Sequence, residues 1–186
     1  MLAELVQRSS LFSFLHQIDT DICRQWRERG CPFCGGVLHQ APYERKPRGG
    51  PDELPEEYMI RRSLCCSREG CRRRVLPPSC LFMGRRVYWA GVIVVIMALR
   101  QNRPEGASTI CLVRRFGISR KTLFRWIVYF RDVFPLSAHW QRLRGRVGAW
   151  VRDQELPGGL LHHFMGNAPS EEAGLIGCLR FLAQAG

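Results

Sequence analysis

The sequence predicts a mostly α-helical protein with one small β ribbon in its N-terminal half. Two patterns give this fold class. Apolar residues recur at helical spacing outside residues 31–80, and within that segment two groups of cysteines enclose a strand–loop–strand pattern. A third observation, 46% hydrophobic residues in a chain of 186, argues against disorder. The chain can bury a core but is too short for a large multidomain enzyme.

Four segments are predicted along the chain. In the first, apolar residues from Leu2 to Ile18 share a helical face, Asp19 or Thr20 caps a second short helix, and Gly30 ends it. The ribbon and a three-helix unit follow, and Ser170 caps the last helix of the C-terminal segment. The predicted boundaries are residues 1–30 (N-terminal helical segment), 31–80 (ribbon), 84–134 (three-helix unit) and 135–186 (C-terminal helical segment).

The three-helix unit is predicted from an apolar run and two capping serines. The run, residues 87–99, is shorter than the roughly 20 residues that cross a bilayer, so we expect a buried helix and no membrane partner. Pro104 breaks the chain after it. Ser108 and Ser119 are expected to cap a second helix and a third helix, the latter running to about Phe134.

The charge is concentrated in one part of the sequence. The formal net charge is +12, and residues 61–146 hold 19 of the 28 basic residues with only three acidic ones. The rest of the chain is mildly acidic. A positive field of this kind predicts an acidic partner, and nucleic acid is the first such partner to consider.

Nine cysteines are present, and the pattern from Met1 to Leu15 is not the one expected of a secretory signal. We therefore expect an intracellular, reducing setting, where clustered thiols indicate a metal site rather than disulfides. Cys23, Cys111 and Cys178 occur in helical apolar patterns and are predicted to be small buried hydrophobic residues. The sequence does not show whether Cys80 is a metal ligand or a buried residue, and His39 is a weaker candidate for a metal ligand.

The metal ligands are predicted from two short cysteine turns, or knuckles. Cys31 and Cys34 are two residues apart and precede two glycines, whose backbone N–H groups can turn toward the sulfurs. Cys66 and Cys71 form the second knuckle. Four thiolates in a closed tetrahedral arrangement suit a structural zinc ion. Redox chemistry at the first pair is a weaker alternative, because that pair does not open a helix in a βαβ pattern.

Cys65 competes with Cys66 for the same ligand position. Adjacent strand residues point to opposite faces, so only one of the two is expected to face the metal. Cys66 is favoured because it leaves the shorter loop to Cys71.

Residues 109–126 have the layout of a helix-turn-helix. Gly117 falls where the chain must reverse, and Ile118 and Leu123 are expected to pack inward. The start of the second helix enters the major groove in this motif. The predicted DNA contacts are Ser119, Arg120, Lys121, Thr122, Phe124 and Arg125, together with the arginine cluster Arg72, Arg73 and Arg74, which would also offset thiolate charge.

The order of a thiolate ribbon, an arginine cluster, an apolar helix and the segment 116–123 resembles the small zinc-ribbon/helix-turn-helix DNA-binding proteins of bacterial insertion sequences. It is also similar to the N-terminal DNA-binding part of some transposases. The resemblance covers residues 31–134, and the long second knuckle and the C-terminal segment depart from the usual pattern. It implies a protein that recognises element ends or a promoter, with the four cysteines as ligands and residues 119–125 as the start of the recognition helix.

We expect no catalytic activity of the chain itself. After Phe134 few acidic residues remain, which is too few for a Mg²⁺-dependent catalytic domain. The expected partners are double-stranded DNA and a separate catalytic subunit, in the cytoplasm at the nucleoid. A scaffold that self-associates or docks a protein through Trp140 and Trp150 is the alternative, and a small nuclease using His162 and His163 is a weaker one.

Overall fold

Eight α-helices account for most of the structure, a computed structural model that describes residues 2–102 and 108–184. The predicted class, mostly α with a small β part, is confirmed. A π-helical turn, Tyr129–Val133, extends the fifth helix. The helices are α1 (Leu2–Leu5), α2 (Ser9–Arg29), α3 (Ala90–Asn102), α4 (Thr109–Arg115), α5 (Arg120–Val128), α6 (Ala138–Leu143), α7 (Gly158–Gly166) and α8 (Glu171–Ala183).

The ribbon is built from five short strands. β1, β4 and β5 form one antiparallel sheet, in which Leu38 is paired with Cys66, and β2 pairs with β3 in a second sheet. A 3-10 turn, Glu56–Met59, precedes the returning strands. The strands are β1 (Leu38–Gln40), β2 (Tyr43–Glu44), β3 (Ile60–Arg61), β4 (Leu64–Cys66) and β5 (Arg74–Val75).

The N-terminal segment contains one long helix where a break had been expected near Asp19. Asp19 caps nothing: it lies in the middle of α2, only 4% exposed, and accepts hydrogen bonds from the Cys80 N–H at 2.6 Å and from the Ser79 hydroxyl. A buried carboxylate needs such partners. The predicted helix end at Gly30 is correct, since this glycine has a φ of +78°.

α3 lies at the centre of the helices. Every residue from Ala90 to Ala98 is buried, as expected for a helix that is apolar on all sides. It begins three residues later than the sequence predicted, because Tyr88 and Trp89 form extended bridges to Arg48 and Phe82. In the part of the chain that the structure describes, no helix has the length and apolar character required to span a membrane.

α4 and α5 meet in a tight turn with both predicted caps. The Ser108 hydroxyl accepts from the Cys111 N–H at 3.3 Å, and the Ser119 hydroxyl accepts from the Thr122 N–H at 3.0 Å. Gly117 adopts a φ of +58° between the helices. The predicted break at Pro104 lies outside the described residues.

The C-terminal segment packs against α3 through α7 and α8. Ser170 caps α8 by accepting from the Ala173 N–H at 3.1 Å, as predicted. Trp140 is fully buried, whereas Trp150 is 81% exposed.

Two buried clusters divide the molecule. The larger one includes residues from Ala3 to Ala183 and joins all eight helices; we call this part the helical body. The smaller one lies in the ribbon and includes one residue of α2, so this helix serves both parts. Its buried members are Cys23, Cys31, Leu38, Leu64, Cys66 and Val75.

The loop between the two halves of the ribbon is docked on the helical body. The Arg48 N–H donates to the Val87 carbonyl at 2.9 Å, and the Trp89 N–H donates back to the Arg48 carbonyl at 3.3 Å. At Gly50, a Cβ atom would lie 2.6 Å from Nε1 of Trp89. Glycine is therefore required for the close approach that joins the ribbon to α3.

Candidate metal centre

Four cysteine sulfurs meet between the two knuckles of the ribbon. The sulfurs of Cys31, Cys34, Cys66 and Cys71 all lie within 4.8 Å of one another, the one such group among residues 2–102 and 108–184. The Sγ–Sγ distance is 3.8 Å between Cys31 and Cys71 and 3.4 Å between Cys34 and Cys66. A tetrahedral ion with metal–sulfur bonds of about 2.3 Å has sulfurs about 3.8 Å apart. The cluster therefore fits a metal ion.

The first knuckle is held by backbone hydrogen bonds next to the end of α2. The Cys31 N–H donates to the Gly36 carbonyl and the Gly35 N–H donates to the Cys31 carbonyl, each at 2.8 Å. At Gly36, a Cβ atom would lie 3.1 Å from the Cys66 sulfur and 3.3 Å from the Cys34 sulfur. A side chain there would press on two of the four sulfurs.

The second knuckle continues from the central strand of the ribbon. The Cys66 N–H donates to the Arg73 carbonyl at 3.0 Å, and the Cys71 N–H donates to the Arg68 carbonyl at 3.1 Å. Gly70 has a φ of +81°, so the chain reverses just before the fourth cysteine. These bonds close the loop between β4 and β5.

The thiols differ in the direction in which their surroundings shift the pKa. A hydrogen bond from the Gly36 N–H lowers the pKa of Cys34 to about 7, whereas burial raises the pKa of Cys66 to about 12. Thiolates in one cluster repel one another, and a bound cation removes the repulsion and deprotonates a coordinating thiol. The arrangement is chemically suited to binding a cation rather than to leaving four free thiols.

Cys65 lies outside the cluster. Its sulfur donates to the Arg72 carbonyl at 3.6 Å, on the other face of β4 from Cys66. His39, opposite Cys65 in the sheet, is exposed and is not part of the cluster either. Of the two rival residues, the structure brings Cys66 to the other three cysteines.

The remaining cysteines lie apart from this site. Cys23, Cys80 and Cys178 are buried, as predicted for the first and the last of them. The same prediction for Cys111 is wrong, since its side chain is exposed. Leu112 is the α4 residue that points to the core, and a neighbour one position away on a helix points elsewhere.

The predicted DNA contacts of α5 lie on its outward face. Ser119 is the cap, Thr122 is half-buried, and the inward positions are Leu123 and Trp126, both buried. The other predicted contacts are exposed, and among the described residues none of the three basic ones has an ion-pair partner. These exposed side chains are Arg120, Lys121, Phe124 and Arg125, of which Phe124 is 63% exposed.

The three predicted arginines of the ribbon are exposed but differ in their contacts. Arg74 donates to the Ala41 carbonyl at 3.1 Å and to the Ser63 hydroxyl at 2.8 Å, so part of its role is to hold the ribbon. The Arg73 guanidinium lies 4.6 Å from the ring centroid of Phe33. Sequence reasoning passed over Phe33, although a phenylalanine between two ligands of one knuckle has little room to reach a core.

His162 and His163 do not form a metal-ligand group in the described structure. His162 is exposed, and the ring of His163 lies 5.6 Å from that of Phe164. Within residues 2–102 and 108–184, the four-cysteine cluster is the one grouping of this kind.

The fold and the site define a small helical protein with a four-cysteine centre that could hold a metal ion. No family model, curated protein or solved structure matched the chain. The resemblance to insertion-sequence proteins therefore stays a prediction from the sequence.

Proposed function

We propose that the protein is a non-catalytic, zinc-containing DNA-binding protein whose α5 reads duplex DNA. The observation that carries this proposal is the exposed start of α5. Arg120, Lys121 and Arg125 project from a capped helix, with no described ion-pair partner, while Leu123 and Trp126 fix the helix to the body. Arg120 and Lys121 lie in the first turn of α5 and Arg125 in its last turn, and basic side chains without ion-pair partners on one helix suit phosphate and base edges.

The binding mode follows from the position of each side chain. With the N-terminal turn of α5 in the major groove, Arg120 is placed for a guanine edge, where arginine makes bidentate hydrogen bonds. Lys121 and Arg125 would neutralise backbone phosphates. Ser119 keeps the first turn of α5 in shape, because its hydroxyl accepts from the Thr122 N–H.

Zinc is the ion that suits the four-cysteine centre best. Four thiolates leave no open coordination position, so the ion would be structural and would stabilise the ribbon. A zinc tetrathiolate carries a charge of about −2. Exposed Arg68, Arg72 and Arg73 on the second knuckle would offset this charge.

The biological setting that we propose comes from the resemblance described above. The protein would act at the nucleoid as a mobile-element regulator or beside a separate transposase subunit. The charge of residues 61–146 supports a nucleic-acid partner.

The DNA proposal is tested with a double charge reversal. Fluorescence anisotropy with a mixed pool of duplexes, at two salt concentrations, should show binding that weakens steeply with salt. Arg120→Glu with Lys121→Glu should weaken binding roughly a hundredfold. The matched control, Arg29→Glu with Arg180→Glu, changes the charge equally on α2 and α8 and should have a small effect. Equal losses from the two double variants would contradict a specific role of α5.

The zinc proposal is tested by metal analysis of neighbouring variants. We expect one zinc per chain in the wild type and in Cys65→Ser, but not in Cys66→Ser, because these residues lie on opposite faces of one strand. Retention of full zinc by Cys66→Ser, or its loss from Cys65→Ser, would overturn the assignment.

A protein scaffold is the second candidate function, and two exposed residues favour it. Trp150 and Leu136 are each 81% exposed, which is unusual for large apolar side chains. If the protein is a scaffold, Arg120→Glu with Lys121→Glu leaves self-association unchanged, whereas Trp150→Ala abolishes it. Analytical ultracentrifugation measures self-association.

A further inference from the structure

The two cysteine knuckles of the ribbon carry an exposed aromatic ring and three exposed arginines. We call the surface formed by Phe33, Arg68, Arg72 and Arg73 the ribbon tip. Phe33 is 58% exposed although it lies between two cysteines of the candidate metal centre. Its position is fixed by that knuckle, so the ring cannot withdraw into either buried cluster.

The charges at the ribbon tip are almost all positive. Arg73 holds its guanidinium 4.6 Å from the Phe33 centroid, and Arg68 donates to the Cys34 carbonyl at 2.8 Å, which places it beside the first knuckle. Arg72 is exposed and has a backbone φ of +43°. Glu69 is the one acidic residue of this knuckle. The tip therefore offers an exposed ring with one guanidinium 4.6 Å from its centroid and two further exposed arginines on the second knuckle.

This combination suits a nucleotide better than other partners. Aromatic rings stack on bases, arginine planes add to the stack, and cations follow the phosphates. A membrane would require several inserted apolar residues, whereas a single ring with a guanidinium against it inserts poorly. Bases inside a duplex are stacked on both faces, so the ring can stack only on unpaired bases or on the last base pair of a duplex end.

We infer that the ribbon tip binds unpaired nucleotides of single-stranded DNA adjoining the duplex that α5 holds. This inference rests on the proposed function and adds the form of the DNA: an end or a junction with unpaired bases. The two surfaces belong to connected parts, since the ribbon loop docks on Trp89 and the neighbouring Tyr88 contacts Trp126 of α5, with ring centroids 5.0 Å apart.

The test compares DNA forms and Phe33 variants in the full chain. Anisotropy is measured with a blunt duplex, the same duplex with a six-nucleotide single-stranded overhang, and vesicles rich in anionic lipid. Wild type should bind the overhang duplex roughly tenfold more tightly than the blunt one. Phe33→Leu should remove this preference, Phe33→Trp should keep it, and the exposed ribbon residue Leu76 provides the control Leu76→Ala. Zinc content and circular dichroism verify that each variant is folded.

The outcomes separate this inference from the proposed function. A wild type that does not bind the blunt duplex overturns the proposed function. A wild type that binds blunt and overhang duplexes equally overturns the present inference alone. Phe33→Leu that keeps the preference also overturns it, since leucine retains apolar area but cannot stack. Phe33-dependent binding to vesicles without an overhang preference would assign the tip to lipid instead.

Discussion

The ribbon and the helical body differ in how much apolar surface they bury. The strands of the ribbon are two or three residues long, and its buried cluster has six residues, two of them cysteines of the candidate centre. α3 alone buries nine consecutive residues. Because apolar burial is the main favourable term in folding, the body can hold itself together, while the ribbon depends on another source of stability. The four sulfurs provide that source if they bind an ion.

The largest difference between the ribbon and the helical body is expected when the proposed metal ion is removed. A structural zinc site contributes about 10–16 kcal/mol to folding of a small domain. We therefore expect a zinc chelator to make amide hydrogens of residues 31–80 exchange rapidly while those of α3 stay protected. Hydrogen exchange measured by mass spectrometry checks this, with the chelator saturated by zinc beforehand as the control. Unchanged protection of the ribbon would show that it does not depend on an ion.

A cavity in the helical body should lower the stability of the body and leave the ribbon's metal content unchanged. Ile96 is fully buried in α3, so Ile96→Ala should lower the free energy of unfolding by about 2–5 kcal/mol. The zinc content of the candidate centre should not change, because two of its four cysteines belong to the other buried cluster and Ile96 does not. Thermal unfolding measures the loss, and Ile110→Ala, at a residue 49% exposed, should cost less than about 0.5 kcal/mol. Equal effects of the two variants would be inconsistent with a core at α3.

The junction of the two parts is tested at Gly50. Gly50→Ala places a Cβ 2.6 Å from Nε1 of Trp89 and 3.0 Å from Cζ of Phe12, and should destabilise by about 1–3 kcal/mol. Urea unfolding followed by tryptophan fluorescence checks this. Gly145→Ala is the control, since apart from its own chain neighbours no atom lies within 4 Å of the added Cβ. If both variants unfold at the same urea concentration, the loop is not packed against Trp89 and Phe12 of the helical body.

A smaller effect is expected from pH at Asp19, which ties α2 to the segment between ribbon and body. Burial raises the pKa of this carboxyl above its ordinary value of 3.8, despite hydrogen bonds from Ser79 and Cys80. The folded state therefore keeps the proton to higher pH than the unfolded state. The protonated Asp19 carboxyl therefore stabilises the folded state fully below pH 3.8, and this stabilisation is lost as the pH rises through the folded-state pKa.

Asp19→Asn should remove this part of the pH dependence, because an amide can still accept from the Cys80 N–H and does not ionise. Urea unfolding of both proteins across the acidic to neutral range measures the difference. Parallel curves for the wild type and the variant would show that Asp19 does not titrate on folding.

The sequence was sufficient for the features that depend on local spacing. Each knuckle is recognisable from its own cysteines and glycines, and alternation along a strand separates Cys66 from Cys65. The caps at Ser108 and Ser119 are equally local, since each hydroxyl bonds an N–H three residues on. Whether these elements bind zinc and DNA stays a prediction.

The features that were missed depend on distant partners. Asp19 lies 61 residues from Cys80, whose N–H donates to the carboxylate that had been expected to cap a helix. The late start of α3 arises because Tyr88 and Trp89 are held in extended bridges to Arg48 and Phe82. No periodicity in one segment reveals a contact made by another, and Cys111 was misassigned because the α4 pattern is too short to fix its phase.

The separation of the two knuckles has a consequence for synthesis on the ribosome. Cys34 and Cys66 are 32 residues apart, so at about 5–20 residues per second the first two thiols emerge roughly two to six seconds before the next. During that interval the nascent chain presents half of a chelate. Binding of the proposed zinc ion by all four cysteines therefore requires the second knuckle, and we expect the zinc supply during expression to limit the yield of correctly assembled protein.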